Sequence, residues 1–378
     1  MPVKVAHIIT QLELGGAQLN TLYTVSHLDP KRFQPILIAG EGGILDPQAR
    51  AWGGTLYYVK NLSRPIHPLR DFRAFMELHR ILRKEKPHII HTHSSKAGIL
   101  GRWAAWLAGV PVRIHTYHGF GFHPLQNRFH CTLLMTAEWL TSWITTRVIF
   151  VSQANQETAG RLFFRIGGKS SLIRSGIPLQ HYPARLESPE KKRLSLGIGP
   201  NRHLITSIGN LKPQKNPKDF ILLAKMVYEK VPEARFFFIG DGESRGEAED
   251  MVLRYGLHEK CFFPGWRQDV AEILTASDLF VLTSLWEGLP RSLVEAMATG
   301  LPVAAYSVDG IRDVVRNGIN GYLAYPRDVG GLAEKVIQLL RDPPLRLRMG
   351  EAAKKSVGQE FDIDHMVQLQ EKLYGTLT

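Results

Sequence analysis

Short apolar runs alternate with amphipathic segments along the chain. Runs such as Val3-Lys-Val-Ala-His-Ile-Ile9 and Val112-Arg-Ile-His-Thr-Tyr117 predict buried strands, and the stretch from Arg70 to Lys84 has the spacing of an amphipathic helix. The alternation restarts in the second half with His203-Leu-Ile-Thr-Ser-Ile-Gly209. Strands and helices at βαβ spacing predict an α/β fold with parallel, doubly wound sheets.

The length predicts more than one domain. A chain of 378 residues exceeds what one ordinary core supports, and roughly two domains are expected. We place an N-terminal domain at residues 1–175 and a C-terminal domain at residues 176–359. The last helix, at about residues 360–378, is a candidate to pack back on the first domain.

Composition favours a soluble globular protein, with 44% hydrophobic and 22% charged residues. The first residues enter a strand-like pattern without the features of a signal peptide, and we find no apolar run long enough to span a membrane. Cys131 and Cys261 fall in different predicted domains and suggest neither a disulfide nor a metal site. These features predict a cytoplasmic location.

Positive charge is concentrated in the first half of the chain. Residues 1–175 contain 21 Lys and Arg against 9 Asp and Glu, whereas residues 176–378 contain 26 of each kind. A basic half fits nucleic acid, an anionic membrane surface or a phosphate-bearing substrate, with plain solubility as the alternative. No nucleic-acid-binding motif is present, so we do not expect nucleic acid as a partner.

Two acidic residues flank a predicted helix start in the second half. Glu287 follows an apolar strand, Pro290 is suited to a helix start, and Glu295 lies inside the helix. Loops at the carboxyl ends of parallel strands bind ligands, and helix N-termini favour anions. The pattern suggests a ligand with hydroxyls and phosphates, such as a nucleotide sugar; the alternative is acid placed for the helix dipole alone.

Two further loops follow predicted strands. Gly15 and Gly16 would let the backbone approach a ligand closely, or could form a plain tight turn. The third glycine of the dinucleotide fingerprint is missing, which argues against a nicotinamide cofactor. Lys212 and Lys215 could meet a phosphate, or could be ordinary solvated lysines.

Histidines are candidates for chemistry in the first half. His118 stands in a glycine-rich loop after a strand, where it could donate to a sugar hydroxyl or a leaving-group oxygen; the alternative is a histidine whose hydrogen bonds are satisfied within the loop. His91 and His93 share one face of a strand, but no third ligand stands at a recognisable spacing. We therefore predict no metal site.

The stretch from Leu133 to Thr146 is rich in leucine and tryptophan and has basic flanks. As a helix it could lie against a membrane interface. Packing inside the domain explains the same residues and is the interpretation we favour.

Taken together, these motifs resemble the retaining GT-B glycosyltransferases of family four over nearly the whole chain. Each motif alone is weak, whereas their order and spacing together are specific. They are Gly15-Gly-Ala-Gln18, His118-Gly-Phe, Gly209-Asn-Leu-Lys-Pro-Gln-Lys215, Gly240-Asp-Gly-Glu-Ser-Arg245, Glu287 with Glu295, Asp309-Gly-Ile-Arg-Asp313 and Asn317-Gly-Ile-Asn-Gly321.

The resemblance implies two Rossmann-like domains facing across a cleft, with a nucleotide-sugar donor held mainly by the second. It implies catalytic roles for His118 near the anomeric centre, for Glu287 on the transferred sugar and for Lys215 on the diphosphate. The other implied donor contacts are Glu295 to the ribose, Gly288 and Leu289 to sugar or phosphate, Gly16 to the diphosphate, Trp266 near the base, and Asn210 and Lys212 beside Lys215.

The chain departs from the family pattern at two positions. The family usually has Arg where Asn210 stands, so one of two diphosphate cations is missing and Lys212 is a candidate substitute. Pro178 replaces an acidic residue of the linker. Fixed cations and helix dipoles can stabilise a departing diphosphate, so the resemblance implies a reaction with no metal and no cofactor.

Ser94-Ser-Lys-Ala-Gly-Ile-Leu-Gly-Arg102 with His118-Gly-Phe-Gly-Phe122 resembles the subgroup that builds capsule, exopolysaccharide or O-antigen repeat units. The resemblance implies a polyprenyl-diphosphate-linked or other glycan acceptor and a peripheral position on the inner face of the cell membrane. Family frequency favours a UDP-linked donor, with an N-acetylhexosamine as one candidate sugar. The alternatives are a GT-B nucleotide-sugar 2-epimerase and a non-catalytic, membrane-associated nucleotide-binding scaffold.

Overall fold

The computed structural model describes residues 2–122, 126–162, 166, 168–183, 186 and 188–378. The chain forms two compact units. The first comprises Met1–Gly176 together with Ile363–Thr378, and the second comprises Ile177–Asp362.

The first unit is a parallel sheet covered by helices. Its strands are β1 Val3–Gln11, β2 Phe33–Gly40, β3 Thr55–Tyr58, β4 Ile89–His93, β5 Val112–Tyr117, β6 Arg147–Phe150 and β7 Ser170–Leu172, in the order β3-β2-β1-β4-β5-β6-β7. Its helices are α1 Gly16–His27, α2 Asp46–Ala51, α3 Pro68–Glu85, α4 Ser95–Leu107, α5 Arg128–Ser142, α6 Gln153–Leu162 and α15 Ile363–Gly375.

The second unit repeats this architecture. Its strands are β8 His203–Ile208, β9 Ala234–Ile239, β10 Cys261–Phe262, β11 Leu279–Leu282, β12 Val303–Tyr306 and β13 Gly321–Ala324, in the order β10-β9-β8-β11-β12-β13. Its helices are α7 Pro189–Ser195, α8 Pro217–Lys230, α9 Arg245–Arg254, α10 Val270–Ala276, α11 Arg291–Ala298, α12 Ile311–Val314, α13 Val329–Arg341 and α14 Pro343–Lys355, and short 3₁₀ helices lie at Leu179–His181 and Gln359–Phe361.

Burial explains why the apolar runs form central strands. All four residues of β11 and of β12 are buried, as expected for strands covered on both faces. The predicted α/β class with parallel, doubly wound sheets is confirmed in both units.

The strand order sets the position of the candidate site in each unit. The chain reverses direction across the sheet between β1 and β4 in the first unit and between β8 and β11 in the second. Such switch points open a crevice at the carboxyl ends of the strands.

The last helix, α15, packs on the first unit. Ile363, Met366, Val367 and Tyr374 belong to one apolar cluster with strand residues such as Val5 and Ile89. The far end of the chain therefore completes the core beneath the first sheet.

Helix α5 contradicts our preference for interior packing. Its buried residues are the polar Glu138, Thr141 and Ser142, whereas Phe129 and Leu133 are exposed, as are Trp139 and Leu140. The reason is a buried polar cluster on its inner side: Arg102 of α4 donates to the Glu138 carboxylate at 2.8 Å, and the Tyr117 hydroxyl donates to the same oxygen at 2.7 Å. Among the described residues, no helix is both long enough and apolar enough to cross a membrane.

Candidate active site

An ion pair joins two loops at the switch point of the second unit. Lys215 lies in the loop after β8, and Glu287 lies in the loop after the neighbouring strand β11. Lys215 Nζ donates to Glu287 Oε1, and both side chains are largely buried. The lysine implied to bind a diphosphate and the acid implied to hold a sugar are thus in direct contact.

Backbone contacts fix the two loops against each other. The Thr283 hydroxyl donates to the carbonyl oxygens of Lys215 and Asn216, at 3.1 and 3.0 Å. Gln214 accepts a hydrogen bond from the Leu285 N–H at 2.8 Å through its own carbonyl. These bonds tie the two loops to each other close to the point where the chain leaves β11.

Asp309 holds the backbone of Glu287. Its Oδ2 accepts the Glu287 N–H at 2.8 Å, and its own backbone has a φ of 32°, in the left-handed region. Burial raises the pKa of the Asp309 carboxyl. The sequence motif contained this residue but did not show that it positions the Glu287 backbone.

Helix α11 begins beside these loops. Pro290 is its N-cap, and the preceding Gly288 and Leu289 are buried. The Ser292 hydroxyl donates to the carbonyl of Ile208 at the end of β8, at 3.1 Å, and so docks the first turn onto the central strand. Glu295 lies one turn further along α11.

Arg291 is a further candidate site residue, which sequence reasoning missed. Its guanidinium lies 3.7 Å from the Glu295 carboxylate, and its Nε and one terminal nitrogen are buried without a hydrogen-bond partner among the described residues. Burial raises the pKa of Glu295 and of the nearby Tyr182 phenol, whereas Arg291 lowers both. A basic residue in the first turn opposes the helix dipole, and that was the available sequence signal.

A glycine turn closes the other side of the lysine loop. Gly240 has a φ of 138°, and a Cβ there would lie 2.0 Å from the Gly209 carbonyl and 3.4 Å from the Trp266 ring. Only glycine permits this approach, which brings the Trp266 indole next to the loop. Asn210 and Lys212 lie in the same loop and are half-buried.

Two of the predicted residues lie in the first unit. Gly16 is the exposed first residue of α1, directly after the N-cap Gly15. His118 directly follows β5, and its Nε2 lies 3.1 Å from Nδ1 of His93. Burial lowers the pKa of His118 to about 4, so the ring is neutral at physiological pH.

A third histidine, which the sequence analysis did not find, joins His91 and His93. Nitrogen atoms of His7, His91 and His93 all lie within 4.8 Å of one another, the sole such group of His, Cys, Asp or Glu side chains in the described ranges. His7 pairs with His91 in register because β1 and β4 are neighbours. Sequence spacing could not reveal a partner 84 residues away.

Two family models match the chain. The model described as Glycosyltransferase Family 4 matches residues 14–181, and the model described as Glycosyl transferases group 1 matches residues 188–356. The two matches fall on the two halves of the chain.

Relatives match over most of the chain. It is 33% identical to the UDP-Gal:alpha-D-GlcNAc-diphosphoundecaprenol alpha-1,3-galactosyltransferase of Escherichia coli, over 98% of this chain and 96% of that one. It is 28% identical to the N,N'-diacetylbacillosaminyl-diphospho-undecaprenol alpha-1,3-N-acetylgalactosaminyltransferase of Campylobacter jejuni, over 85% and 86% of the two chains. The crystal structure of Anabaena HepE with UDP and glucose superposes with a TM-score of 0.85 at 21% identity, covering 99% and 100% of the two chains.

Proposed function

The chain belongs to glycosyltransferase family 4, and on that premise we propose that it transfers a sugar from a UDP-linked donor to a hydroxyl of a lipid-linked glycan in surface polysaccharide synthesis. The observation that carries the proposal is the Lys215–Glu287 ion pair at the switch point of the second unit. It sets a cation for the diphosphate beside an acid for the sugar hydroxyls.

The donor occupies the second unit. Lys215 binds the diphosphate, Glu287 accepts hydrogen bonds from the transferred sugar, and Glu295 accepts them from the ribose. Uridine as the base is supported by the printed donor of the Escherichia coli relative and by the UDP bound to HepE. The identity of the sugar is open between a hexose and an N-acetylhexosamine, because the two relatives transfer one of each.

Arg291 is our candidate for the cation that is missing at Asn210. A buried guanidinium with unpaired donors is costly unless a ligand satisfies it. A diphosphate or ribose near the start of α11 would supply the acceptors. Arg291 also restrains the Glu295 carboxylate, which lies 3.7 Å away.

The reaction proceeds without a metal and with retention of the anomeric configuration. Charge that builds on the departing diphosphate is stabilised by Lys215, Arg291 and the N–H groups at the start of α11. The Glu287 carboxylate is engaged by Lys215, which suits a sugar-holding group rather than a covalent nucleophile. The proposed route to retention is attack by the acceptor on the same face as the leaving group.

The acceptor is a glycan on a polyprenyl diphosphate, reached from the inner face of the cell membrane. Both relatives are named for undecaprenol-diphosphate-linked acceptors. The first unit also presents an apolar and basic surface, which we call the α3–α5 surface. Its members are exposed: Phe72, Arg73, Met76, Arg80, Trp106, Leu107, Phe129, Leu133, Trp139, Leu140 and Trp143.

Helical spacing places apolar and basic side chains on one stripe of α3. Phe72, Arg73, Met76 and Arg80 follow the three- and four-residue spacing of a single helix face, and all are exposed. Tryptophans beside basic residues suit the interface of an anionic bilayer. We therefore propose peripheral membrane binding through this surface.

Nucleoside diphosphate release from a panel of nucleotide sugars tests the function. We expect release only with a UDP-sugar and a lipid-diphosphate-linked acceptor together, with the sugar recovered on the lipid. Free sugar released without acceptor would instead indicate an epimerase. If none of the nucleotide sugars in the panel supports release of a nucleoside diphosphate, the proposed function is contradicted.

A further inference from the structure

The switch point of the first unit contains a buried cluster of polar rings. His7 lies on β1, His91 and His93 lie on β4, and Tyr374 reaches them from α15. All four side chains are at most 3% exposed. The great majority of buried polar groups in proteins are hydrogen-bonded.

One chain of hydrogen bonds connects Tyr374 to His118. The Tyr374 hydroxyl lies 3.5 Å from Nε2 of His7, and Nδ1 of His7 lies 3.2 Å from Nε2 of His93. Nδ1 of His93 in turn lies 3.1 Å from Nε2 of His118. Nδ1 of His118 is buried and has no partner among the described residues.

A branch satisfies the remaining histidine. The Tyr374 hydroxyl lies 2.5 Å from Nδ1 of His91, whose Nε2 lies 2.6 Å from the Thr116 hydroxyl. Every ring nitrogen of His7, His91 and His93 therefore has a protein partner. The cluster is a complete hydrogen-bond network, and a metal ion would have to replace bonds already made.

The single hydroxyl proton of Tyr374 sets the donor-to-acceptor direction of this chain of hydrogen bonds. The hydroxyl has two nearer neighbours than His7: His91 at 2.5 Å and the Gln370 side-chain oxygen at 3.3 Å. A proton given to either leaves an oxygen lone pair toward His7. Nε2 of His7 must then carry the hydrogen, since two lone pairs would otherwise face each other.

The remaining protons follow from that one. With hydrogen on Nε2, His7 accepts at Nδ1 from Nε2 of His93, and His93 accepts at Nδ1 from Nε2 of His118. Nδ1 of His118 is left with a lone pair. This reverses the sequence-based expectation, in which His118 donates.

We propose that Tyr374, His7 and His93 are positioning residues that fix His118 in the tautomer protonated at Nε2, so that any sugar hydroxyl reaching Nδ1 must donate to it. The role of His118 toward the sugar rests on the proposed function; the tautomer does not. The last helix thus acts on His118 through two histidines, His7 and His93.

Burial keeps the histidines of this hydrogen-bond chain neutral, as a fixed tautomer requires. It lowers the pKa of His7 to about 3 and the pKa values of His91 and His93 well below their ordinary range. The other titratable groups that act on these rings are His115, whose pKa burial also lowers, and Glu371, which acts on Tyr374.

Nitrogen-15 NMR of histidine-labelled full-length protein measures the tautomer directly. In the wild type we expect a protonated Nε2 and an unprotonated Nδ1 at His118. Tyr374→Phe keeps the ring but removes the oxygen that anchors the chain, and His7→Phe breaks the next link. In both variants we expect a mixture of His118 tautomers and a kcat lowered by about tenfold or more, with the donor KM within about twofold.

His115→Asn is the matched control. His115 is buried on β5, and its Nδ1 lies 2.9 Å from the Thr92 hydroxyl, a hydrogen bond that asparagine can reproduce. His115 is not a member of the hydrogen-bond chain from Tyr374 to His118. We expect its His118 tautomer and kcat to match the wild type.

Three results would overturn the proposal. They are a wild-type His118 protonated at Nδ1, a Tyr374→Phe variant with wild-type tautomer and kcat, and a control that loses as much activity as the chain variants. The NMR arm uses the free protein, so it decides the tautomer even where no donor supports transfer.

Discussion

Lys215 and Glu287 form a largely buried ion pair between the loops that follow the neighbouring strands β8 and β11. Removing either partner would leave the other charge buried and unpaired. In the proposed function, a donor offers each side chain a new partner, the diphosphate for Lys215 and the sugar hydroxyls for Glu287. The pair would then hold both groups in place for a ligand that carries both kinds of chemistry.

Arg291 should contribute directly to nucleotide affinity. We expect Arg291→Gln to weaken UDP binding by about tenfold or more, because a charge-assisted hydrogen bond to phosphate contributes about 1.5–3 kcal/mol. Isothermal titration calorimetry with UDP measures the effect. The exposed Arg254→Gln, in the same unit, should bind UDP as the wild type does. Equal affinity of Arg291→Gln and wild type would remove Arg291 from the site.

Transfer should be insensitive to chelators. The second unit supplies Lys215, Arg291 and the start of α11 as positive charge for the diphosphate, and Glu287 is already paired with Lys215. We expect the rate after chelator treatment to stay within about twofold of the untreated rate. Loss of activity that Mg²⁺ or Mn²⁺ restores would contradict the metal-free mechanism.

The α3–α5 surface should bind anionic vesicles. Each basic residue near such a membrane contributes about 1 kcal/mol at low salt, so Arg73→Gln with Arg80→Gln should weaken binding by about tenfold or more. Trp139→Ser with Trp143→Ser should weaken it at both low and high salt, because apolar insertion is not screened.

Flotation with phosphatidylglycerol vesicles provides the measurement. Arg254→Gln with Lys355→Gln, both exposed in the second unit, is the charge-matched control and should float as the wild type does. A wild-type protein that floats at neither salt concentration would exclude this surface as a membrane anchor.

Folding stability should fall on mild acidification. Burial lowers the pKa of His7 to about 3 and that of His118 to about 4. The unfolded chain therefore binds protons that the folded chain does not, so stability is full above about pH 6.5 and falls as the pH drops toward 4. Between about pH 6.5 and pH 4, each such histidine lowers the free energy of unfolding by about 1.4 kcal/mol for each pH unit of acidification.

Urea denaturation between pH 7.5 and pH 4.5 checks this slope. His7→Phe removes one buried histidine and should lower the proton uptake on unfolding by about one. An unchanged slope in His7→Phe would show that His7 is not held neutral by the fold.

The sequence predicted the sheets because buried parallel strands leave a plain apolar signature. It also placed Lys215 and Glu287 at strand ends, from which their proximity follows once β8 and β11 are neighbours. Contacts that depend on pairing between residues far apart in the chain could not be predicted from the sequence. His7 meets His91 only through the β1–β4 register, and Tyr374 arrives from the end of the chain.

Helix α5 shows a different limit of sequence reasoning. Apolar residues usually mark the inner face of a helix. Here Glu138 faces inward because Arg102 and Tyr117 donate hydrogen bonds to its carboxylate. Arg291 was overlooked for a similar reason, since an arginine is ordinarily a surface residue. A charged side chain can be identified as buried only when the residues that pack around it are known.

Transfer of labelled sugar from a UDP-sugar to a synthetic lipid-diphosphate N-acetylglucosamine, compared between wild type and Glu287→Gln, tests the central claim most directly. The account predicts a labelled lipid product with the wild type and a rate at least about a hundredfold lower with Glu287→Gln, because the amide keeps the shape but loses the charge that Lys215 and the sugar hydroxyls engage. Glu229→Gln, an exposed acid on α8, should retain the full rate. Full transfer by Glu287→Gln would contradict the assignment of the site.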